Sequence, residues 1–172
     1  MTGVVRPAEP RDIARLEEIE NDADALLIGF LRPDHWDPAP TGDSRLRSPG
    51  FVLIVSESVD GEAVGFVHVI ESDGFAHLEQ LSMLPDHAGR GLGRTLVVAA
   101  MEEASRLGYD HMTLRTYAEV QWNAPFYATC GFVETEPATA FQRRLLESER
   151  LLGLAQYGRR IQMSVKTATS RR

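Results

Sequence analysis

The feature of this chain that most clearly suggests chemistry is a run of alternating glycines, Gly89, Gly91 and Gly93, between a strand-like segment and an apolar helical stripe. Glycine lets the backbone adopt positive φ and approach a ligand closely. The free N–H groups at the start of the following helix would then point at one place, with the positive end of the helix dipole behind them. Such a junction is typical of a phosphate or pyrophosphate site. Arg90 and Arg94 would add positive charge at its rim.

Two other kinds of phosphate-binding loop are excluded by residue type and spacing. A dinucleotide fingerprint, G-x-G-x-x-G, needs a third glycine, but the sixth position counted from Gly89 is Arg94, and counted from Gly91 it is Leu96. A lysine-type phosphate loop is absent because the one lysine of the chain, Lys166, follows no glycine run. Phosphate binding must therefore depend on backbone N–H groups and arginine.

The composition of the 172 residues excludes further classes of function. The one cysteine, Cys130, cannot form an internal disulfide or a cysteine-rich zinc site, and it follows an apolar helix where a small buried side chain is expected. The net charge of −7 argues against nucleic acid as a partner, since such proteins present a basic face. No apolar stretch is long enough for a signal peptide or a membrane span. We therefore expect a cytoplasmic protein with no metal, nucleic-acid or membrane partner.

The rest of the chain supplies the elements that must position the glycine run. Residue periodicity and turn residues predict strands over 4–6, 51–55, 63–70, 75–83, 111–117, 132–136 and 160–166. They predict helices from residue 13 to about 23, over 92–107, over 122–129 and within 138–157, with a loop or broken helix over 32–49. Tight turns at Asp60-Gly61 and Ser72-Asp73-Gly74 would join three strands into an antiparallel meander. The sum is an α+β fold with a mixed, mostly antiparallel sheet of about seven strands, forming a single domain over 1–166 with a flexible tail over 167–172.

With the glycine run in this setting, the chain resembles the GNAT superfamily of acyl-CoA-dependent N-acetyltransferases. Gly91 and Gly93 match the small positions of the family pattern, which is Gln or Arg, two residues, Gly, one residue, and Gly or Ala. The Gln or Arg position is Ala88, a departure that removes one side-chain contact. The segment from Asn123 to Phe132, N-A-P-F-Y-A-T-C-G-F, looks like the family's N-x-x-x-Y-x-x-x-G-F motif. The resemblance extends over nearly all of 4–166, although the first 50 residues match loosely.

The resemblance implies that acetyl-CoA is the co-substrate and an amine the acceptor, and it allows a homodimer. The strand backbone at Leu81 and Met83 would hold the pantetheine arm and the acetyl carbonyl. Asn123 would contact the CoA arm, and Thr95 would cap the pyrophosphate. The loop backbone that would hold the pyrophosphate comprises Ala88, Gly89, Arg90, Gly91, Leu92, Gly93 and Arg94.

Two residues are candidates for proton transfer. The resemblance implies that Tyr127 stands near the thioester sulfur, where its hydroxyl could protonate the leaving thiolate. The alternative is a half-buried aromatic side chain with a structural hydrogen bond. Strand alternation puts Glu79 on the same face as Leu81 and Met83, so its carboxylate could take a proton from the acceptor ammonium. The alternative for Glu79 is an ion pair with Arg115 on the next strand.

The residues that line the acceptor side are indicated only by the position of two segments along the chain. Trp36 and the acidic stretch 34–37 lie where the family places its substrate-selecting loop, and 141–157 is a second candidate wall. We expect the acceptor to be a primary amine of a small molecule or a peptide, since fold-level kinship does not name a substrate. The competing hypothesis is a non-catalytic acyl-CoA-binding regulatory module, which would hold if Tyr127 and Glu79 are structural only.

Overall fold

The structure, a computed structural model, describes residues 2–167. Seven strands form one sheet in the order β1-β2-β3-β4-β5-β7-β6. The strands are β1 (Val4–Pro7), β2 (Gly50–Ser56), β3 (Gly65–Ser72), β4 (Phe75–Met83), β5 (His111–Tyr117), β6 (Val133–Thr135) and β7 (Arg160–Lys166). The helices are α1 (Ile13–Leu31), α2 (Gly42–Arg47), α3 (Leu92–Arg106), α4 (Ala124–Thr129) and α5 (Ala140–Leu152). The predicted α+β class and seven-stranded sheet are confirmed.

The chain divides into two compact units, of which the first combines the described part of 1–70 with Leu78–Ala100. Here β2 pairs antiparallel with both β1 and β3. One face of α1 packs onto these strands, because its apolar residues recur at helical spacing and Val52 and Ile54, two residues apart on β2, share one face of the sheet. The resulting core consists of Leu16, Ile19, Val52, Ile54, Ala63 and Phe66.

The second unit combines Glu71–His77 with the described part of 101–172. Strands β5 and β7 pair antiparallel over their whole lengths, from His111 opposite Lys166 to Tyr117 opposite Arg160, and β6 pairs antiparallel with β7. Thr139 begins α5 through a capping box, in which its side chain accepts from the Gln142 N–H and Gln142 returns the bond. The segment 141–157, which the sequence suggested as an acceptor wall, therefore consists of α5 after its first residue and the 3-10 turn Leu154–Tyr157.

The link between β2 and β3 differs from its prediction. Asp60-Gly61 was expected to form a tight hairpin turn with the return strand beginning at Ala63, whereas the link spans 57–64 and β3 begins at Gly65. The Gly61 N–H donates to the Ser58 carbonyl, which closes a turn earlier in the link. Ala63 is buried in the core outside the strand, so apolar character there reflects packing rather than strand pairing.

The second predicted turn has the expected geometry. Asp73 and Gly74 both have left-handed backbones, with φ of 52° and 77°, which is the pattern of a type I′ hairpin turn. The strand that follows begins at Phe75 and ends at Met83, as predicted. This turn and strand matter for function because β4 leads directly into the glycine run.

Two further boundaries were predicted less well. Helix α4 begins at Ala124 rather than Trp122, because Asn123 is its N-cap and Pro125 sets its first turn. The predicted tail began at Thr167, but Thr167 is buried and donates its N–H to the Asp110 carbonyl at 2.9 Å. The rest of that tail, 168–172, lies outside the described residues. Across 2–167, no helix has both the length and the apolar character needed to cross a membrane.

Candidate active site

The glycine run forms an exposed turn at a strand-to-helix junction. After β4, a short 3-10 turn over Pro85–His87 leads into Gly89 and Gly91, whose φ angles are +75° and +82°. These angles lie in the region that glycine reaches without steric cost. The helical bonding of α3 begins with the Thr95 N–H donating to the Gly91 carbonyl at 3.1 Å. By helix geometry, the N–H groups just before that bond face outward from the helix end, as an anion site requires.

The first residue of α3, Leu92, is packed against the chain that precedes β1. The Leu92 side chain is buried, and a Cβ added to Gly3 would lie only 2.6 Å from its Cδ2 atom, so the chain before β1 packs directly on it. A shallow cavity of about 240 Å³ is lined by Thr2, Gly3, Glu57, Arg90 and Leu92. The glycine turn, residues 89–91, is therefore exposed to solvent directly before a helix whose first residue is buried.

The charged side chains around the turn are partly engaged with each other. Arg90 Nη1 donates to Glu57 Oε1 at 3.2 Å, and the same oxygen lies 3.5 Å from His87 Nε2. The Arg90 and Arg94 side chains are exposed. Glu57, which the sequence did not suggest, thus holds Arg90 at the edge of the turn.

Two of the predicted phosphate-binding groups are used within the loop itself. The Ala88 N–H donates to the Pro85 carbonyl at 3.2 Å. The Thr95 hydroxyl donates to the Gly91 carbonyl at 3.0 Å, so its proton is directed into the helix backbone. The backbone from Gly89 onward is consequently the part of the loop best suited to hold an anion.

Strand β4 follows the predicted alternation only toward its end. Leu78 and Ser82 are buried, whereas Glu79 is exposed and Leu81 and Met83 are half-buried. His77, on the predicted face of Glu79, is buried. A Cβ on Gly65 would lie 2.5 Å from the Met83 methyl, which shows that the Met83 side chain covers this glycine of β3.

Solvent reaches the Glu79 side chain, and the protein atoms around its carboxyl group still disfavour the charged form. Its side chain is exposed, yet burial by neighbouring protein atoms raises the pKa of its carboxyl group, and the positive charge of Arg45 acts against that rise. The raised pKa makes this carboxylate a stronger base than a surface glutamate, and its exposure leaves it accessible to an acceptor.

Arg45 belongs to a buried charged cluster that the sequence did not reveal. Its guanidinium donates to both carboxylate oxygens of Glu20, at 2.7 to 3.0 Å, and its Nη1 lies 2.9 Å from His68 Nδ1. Its Cζ lies 5.6 Å from the centre of the Phe66 ring. We call Glu20, Arg45 and His68 the Arg45 cluster. Its members come from α1, α2 and β3, so no local sequence pattern could have joined them.

The predicted acceptor loop reaches helix α1. Trp36 Nε1 lies 3.4 Å from Asp24 Oδ2, and burial raises the pKa of the Asp24 carboxyl group. In the acidic stretch, Asp37 pairs with His35 at 2.8 Å on the exposed surface. Trp36 is thus the member of this loop that approaches a desolvated carboxylate.

In the second unit, Tyr127 lies on α4 with its ring buried against Phe126 and Phe132, at centroid distances of 5.3 and 5.7 Å. Burial raises the pKa of its hydroxyl group well above the ordinary value, so the group stays protonated at neutral pH. Asn123 caps α4 through its backbone position, and its side chain makes no capping hydrogen bond. Tyr127 is therefore in the state that a proton donor needs.

In the second unit, the structure also shows the bonding partners of Arg115 and His77. Arg115 forms a 2.9 Å ion pair with Glu149, which also binds Arg160 at 2.5 Å. His77, two residues before Glu79 on β4, is buried with Nδ1 2.9 Å from the Thr113 hydroxyl, and burial lowers its pKa to about 4. Over 2–167, no three His, Cys, Asp or Glu side chains are grouped so as to hold a metal ion.

A family model described as "Acetyltransferase (GNAT) family" matches residues 13–132, which include the glycine turn, Glu79 and Tyr127. The chain belongs to the GNAT family of acetyltransferases. One GNAT relative, the aminoglycoside N(6')-acetyltransferase type 1 of Stenotrophomonas maltophilia, is 30% identical over 151 residues, covering 82% of this chain and 93% of the relative. Another, the L-amino acid N-acyltransferase MnaT of Escherichia coli, is 28% identical, covering 76% and 80%.

The GNAT fold is also shared with solved structures. The PaiA N-acetyltransferase of Thermoplasma acidophilum, solved in complex with coenzyme A, superposes with a TM-score of 0.67 at 15% identity, covering 96% of this chain and 99% of that one. At this identity the likeness concerns the fold, and it agrees with the seven-stranded sheet described above.

Proposed function

We propose that this GNAT protein transfers an acetyl group from acetyl-CoA directly to a primary amine of a small molecule or peptide. The observation that carries the proposal is the left-handed glycine turn that opens α3 inside the family-matched region. Its backbone N–H groups suit the pyrophosphate of a CoA thioester. The names of the two sequence relatives, which act on an aminoglycoside and an L-amino acid, support an amine as acceptor.

Several residues would hold the co-substrate. The loop from Ala88 to Arg94 would bind the pyrophosphate, mainly through the backbone from Gly89 onward, with the rim arginines adding charge. The β4 backbone at Leu81 and Met83 would hold the pantetheine arm, and the Asn123 amide would contact the same arm. Holding both substrates in place converts a bimolecular reaction into an intramolecular one.

The first chemical task is to make the acceptor nucleophilic. An ammonium has no free electron pair, so one proton must leave its nitrogen before attack. In this proposal Glu79 accepts that proton on a carboxylate oxygen, directly or through one water molecule. Its raised pKa and its exposure support this assignment.

The second task is to release coenzyme A. The amine nitrogen forms a bond to the thioester carbonyl carbon, and the carbon–sulfur bond then breaks with its electron pair remaining on sulfur. In this proposal Tyr127 donates its hydroxyl proton to that thiolate, the second proton of the nitrogen passes through solvent to the Tyr127 phenolate, and Glu79 releases the proton it accepted. The products are the amide, the free thiol and one proton released to solvent. Because burial raises its pKa, the Tyr127 hydroxyl is a donor and not a base at neutral pH.

Two measurements test this function. Stabilisation of the protein by CoA and acetyl-CoA, but not by NAD, in a thermal-shift experiment would support a CoA site. Thiol release from acetyl-CoA across a panel of amines would then identify turnover. Stabilisation with no turnover on any amine would favour the non-catalytic acyl-CoA-binding module instead.

The role of Tyr127 has its own test. We expect Tyr127→Phe to reduce kcat about 100-fold or more, because a positioned acid contributes on that scale, while CoA affinity changes less than threefold. Tyr117→Phe is the matched control, since Tyr117 is also buried and its hydroxyl donates to the Leu154 carbonyl at 3.1 Å. Equal kcat values for the two variants would reject Tyr127 as the acid.

A further inference from the structure

A group of charges in the second unit does not balance. Arg115 of β5 donates from Nε to one carboxylate oxygen of Glu149 on α5 at 2.9 Å. Arg160 of β7 donates to the other oxygen, from Nε at 3.0 Å and from Nη2 at 2.5 Å. We call these three residues the Arg115 cluster. Two guanidinium groups share one carboxylate, so the cluster has one positive charge in excess.

The three side chains of the Arg115 cluster are largely removed from water. The exposed fractions of the Arg115, Glu149 and Arg160 side chains are 7%, 14% and 16%. No other carboxylate of residues 2–167 forms an ion pair with either arginine. An excess charge in such surroundings is unfavourable unless an anion compensates it. Each side chain keeps some exposure, so a small anion can approach the cluster from solvent.

Arg115 also keeps hydrogen-bond donors that the fold does not use. A guanidinium carries five N–H groups, and within the described residues only the Nε group of Arg115 donates to a protein acceptor. Its Nη1 and Nη2 atoms are not among the buried polar atoms that lack a partner, so both are accessible. Two parallel N–H bonds from such a pair match the two oxygens of a carboxylate. Arg115 therefore offers a bidentate edge to a ligand.

The side chains near Arg115 on this face of the sheet are neutral. Thr113 lies two residues before Arg115 on β5, so the two side chains share one face. The Thr113 hydroxyl lies 2.9 Å from His77 Nδ1, and Phe141 of α5 contacts the His77 ring edge-on at a centroid distance of 5.3 Å. Burial and the charge of Arg115 lower the His77 pKa to about 4, so this imidazole is uncharged at pH 7. Glu149 is thus the only anion that the described residues hydrogen-bond to Arg115.

We propose that the Arg115 cluster is a binding site for a carboxylate group, which Arg115 holds through Nη1 and Nη2. One carboxylate carries the single negative charge that balances the cluster. A phosphate group carries about 1.5 to 2 negative charges at pH 7 and would bring the surplus close to Glu149. The charge balance therefore favours a carboxylate over a phosphate.

Two sources can supply such a carboxylate. One is the acceptor, which would then be an amino acid or another amine that also carries a carboxylate, and this source rests on the proposed acetyl transfer. The other is a separate carboxylic acid, which binds whether or not the protein acetylates an amine. In both cases Arg115 contacts the ligand, while Glu149 fixes the orientation of its guanidinium group.

A binding measurement tests the site without any need for turnover. The arginine side chains would be labelled with ¹⁵N, and the Arg115 signals assigned from their loss in Arg115→Lys. Sodium acetate is the probe, acetamide is its uncharged counterpart, and sodium chloride at equal ionic strength controls for general salt effects. We expect a saturable shift of the Arg115 signals with acetate alone. No saturable shift with acetate, or an equal shift with acetamide or chloride, would overturn the proposal.

Inorganic phosphate tests the class of anion. At equal pH and ionic strength, we expect it to bind less tightly than acetate, because its additional charge is repelled by Glu149. Tighter binding by phosphate than by acetate would overturn a carboxylate as the ligand of the Arg115 cluster.

Two variants separate ligand binding from a structural role of the ion pairs, with acetate binding followed at the remaining arginine signals. Arg115→Lys keeps the charge but loses the paired N–H groups, so we expect the Kd for acetate to rise about fivefold or more. Arg160→Gln keeps Arg115 but removes the excess charge, and we expect weaker acetate binding there too. Arg150→Lys is the matched control, because Arg150 lies on α5 with its side chain 69% exposed. Equal Kd values in Arg115→Lys and Arg150→Lys, or unchanged binding in Arg160→Gln, would contradict the proposal.

Kinetics with amino acids and their carboxamides then identify the source of the carboxylate. If the acceptor supplies it, the ratio of kcat/KM for an amino acid to that for its carboxamide should fall about fivefold or more in Arg115→Lys. Acetate should then compete with the amino acid. If a separate acid supplies the carboxylate, that ratio stays unchanged and acetate does not compete. If no amine supports turnover, acetyl transfer fails as the function, and the acetate titration still decides whether the site exists.

Discussion

The glycine turn and the Arg45 cluster, both in the first unit, are built on opposite principles. The turn is exposed and is formed by glycine backbone at positive φ. The cluster is buried and consists of charged side chains held by direct hydrogen bonds. One leaves backbone N–H groups open at a helix start, and the other pairs charged side chains away from water.

This difference predicts that the two regions control different properties. Co-substrate affinity should respond to backbone conformation and only weakly to the replacement of loop side chains. The stability of the fold should respond to the buried charges of the Arg45 cluster and to pH.

The largest effect is expected from removing the charge of Arg45. Arg45→Met leaves the Glu20 carboxylate buried without its partner, so we expect the free energy of unfolding to fall by about 3–5 kcal/mol. Glu20→Leu/Arg45→Met, which makes the pair apolar, should return to within about 2 kcal/mol of the wild type or exceed it. Urea denaturation measures both. A loss below about 1 kcal/mol in the single variant would show that the pair is less tightly coupled than its geometry indicates.

The next largest effect is expected from the glycine turn, and it concerns the affinity for CoA rather than the stability of the fold. Gly91→Val places a β-branched side chain at φ +82°, a conformation that such residues rarely adopt. We expect the Kd for CoA, measured by calorimetry, to rise about tenfold or more. Gly29→Ala is the control, because a Cβ there meets nothing within 4 Å and the position is inside α1. Equal CoA affinity in wild type and Gly91→Val would remove the turn from the binding site.

His68 should make the stability of the Arg45 cluster depend on pH. Its folded-state pKa of about 4 lies below its ordinary 6.5, so the unfolded chain takes up a proton that the folded protein does not. Stability therefore falls as pH decreases from 6.5 toward about 4, by up to about 1.4 kcal/mol per pH unit from this residue.

The variant His68→Gln tests that dependence, since the glutamine oxygen can still accept from Arg45. Between pH 6.5 and 5, its unfolding free energy should decrease less steeply than that of the wild type. From pH 7.5 to 8.5 the two slopes should agree, because neither state binds the proton there. Parallel curves over the whole acidic range would contradict the assignment of a neutral buried imidazole.

The smallest effect is expected from a side chain at the glycine turn. Arg90 is exposed and already bound to Glu57, so Arg90→Ala should weaken CoA binding only two- to threefold at low salt and less at high salt. A loss as large as that of Gly91→Val would mean that the site depends on side-chain charge. The distinction between a backbone-built and a side-chain-built region would then fail.

Local signals in the sequence predicted much of the fold. Strand β4 was predicted to the residue, because the Asp73-Gly74 turn and Pro85 mark its two ends. The same kind of signal failed at Asp60-Gly61, where a hydrogen bond to Ser58 and the burial of Ala63 determined the course of the chain. Turn residues indicate where a chain can reverse, and packing decides whether the strand resumes at once.

The candidate site divides in the same way. The glycine turn and the Asn123 to Phe132 segment are continuous motifs, so sequence located both. The Glu57 bond to Arg90 and the use of the Ala88 N–H by Pro85 could not be predicted, since each depends on how a loop is folded back. The acid assignment of Tyr127 is a prediction that Tyr127→Phe tests, and the base assignment of Glu79 stays a prediction.

The sequence was sufficient to determine the class of protein, the strand-to-helix glycine turn and the face of β4 that carries Glu79, because each depends on residues adjacent in the chain or separated by a fixed period. Only the tertiary structure joined Glu20, Arg45 and His68. Arg45 is 25 positions from Glu20 and 23 positions from His68, and their contact requires α1, α2 and β3 to be packed together. Charges act through space at distances that sequence separation does not encode, so the electrostatic surroundings of Glu79 are a property of the fold.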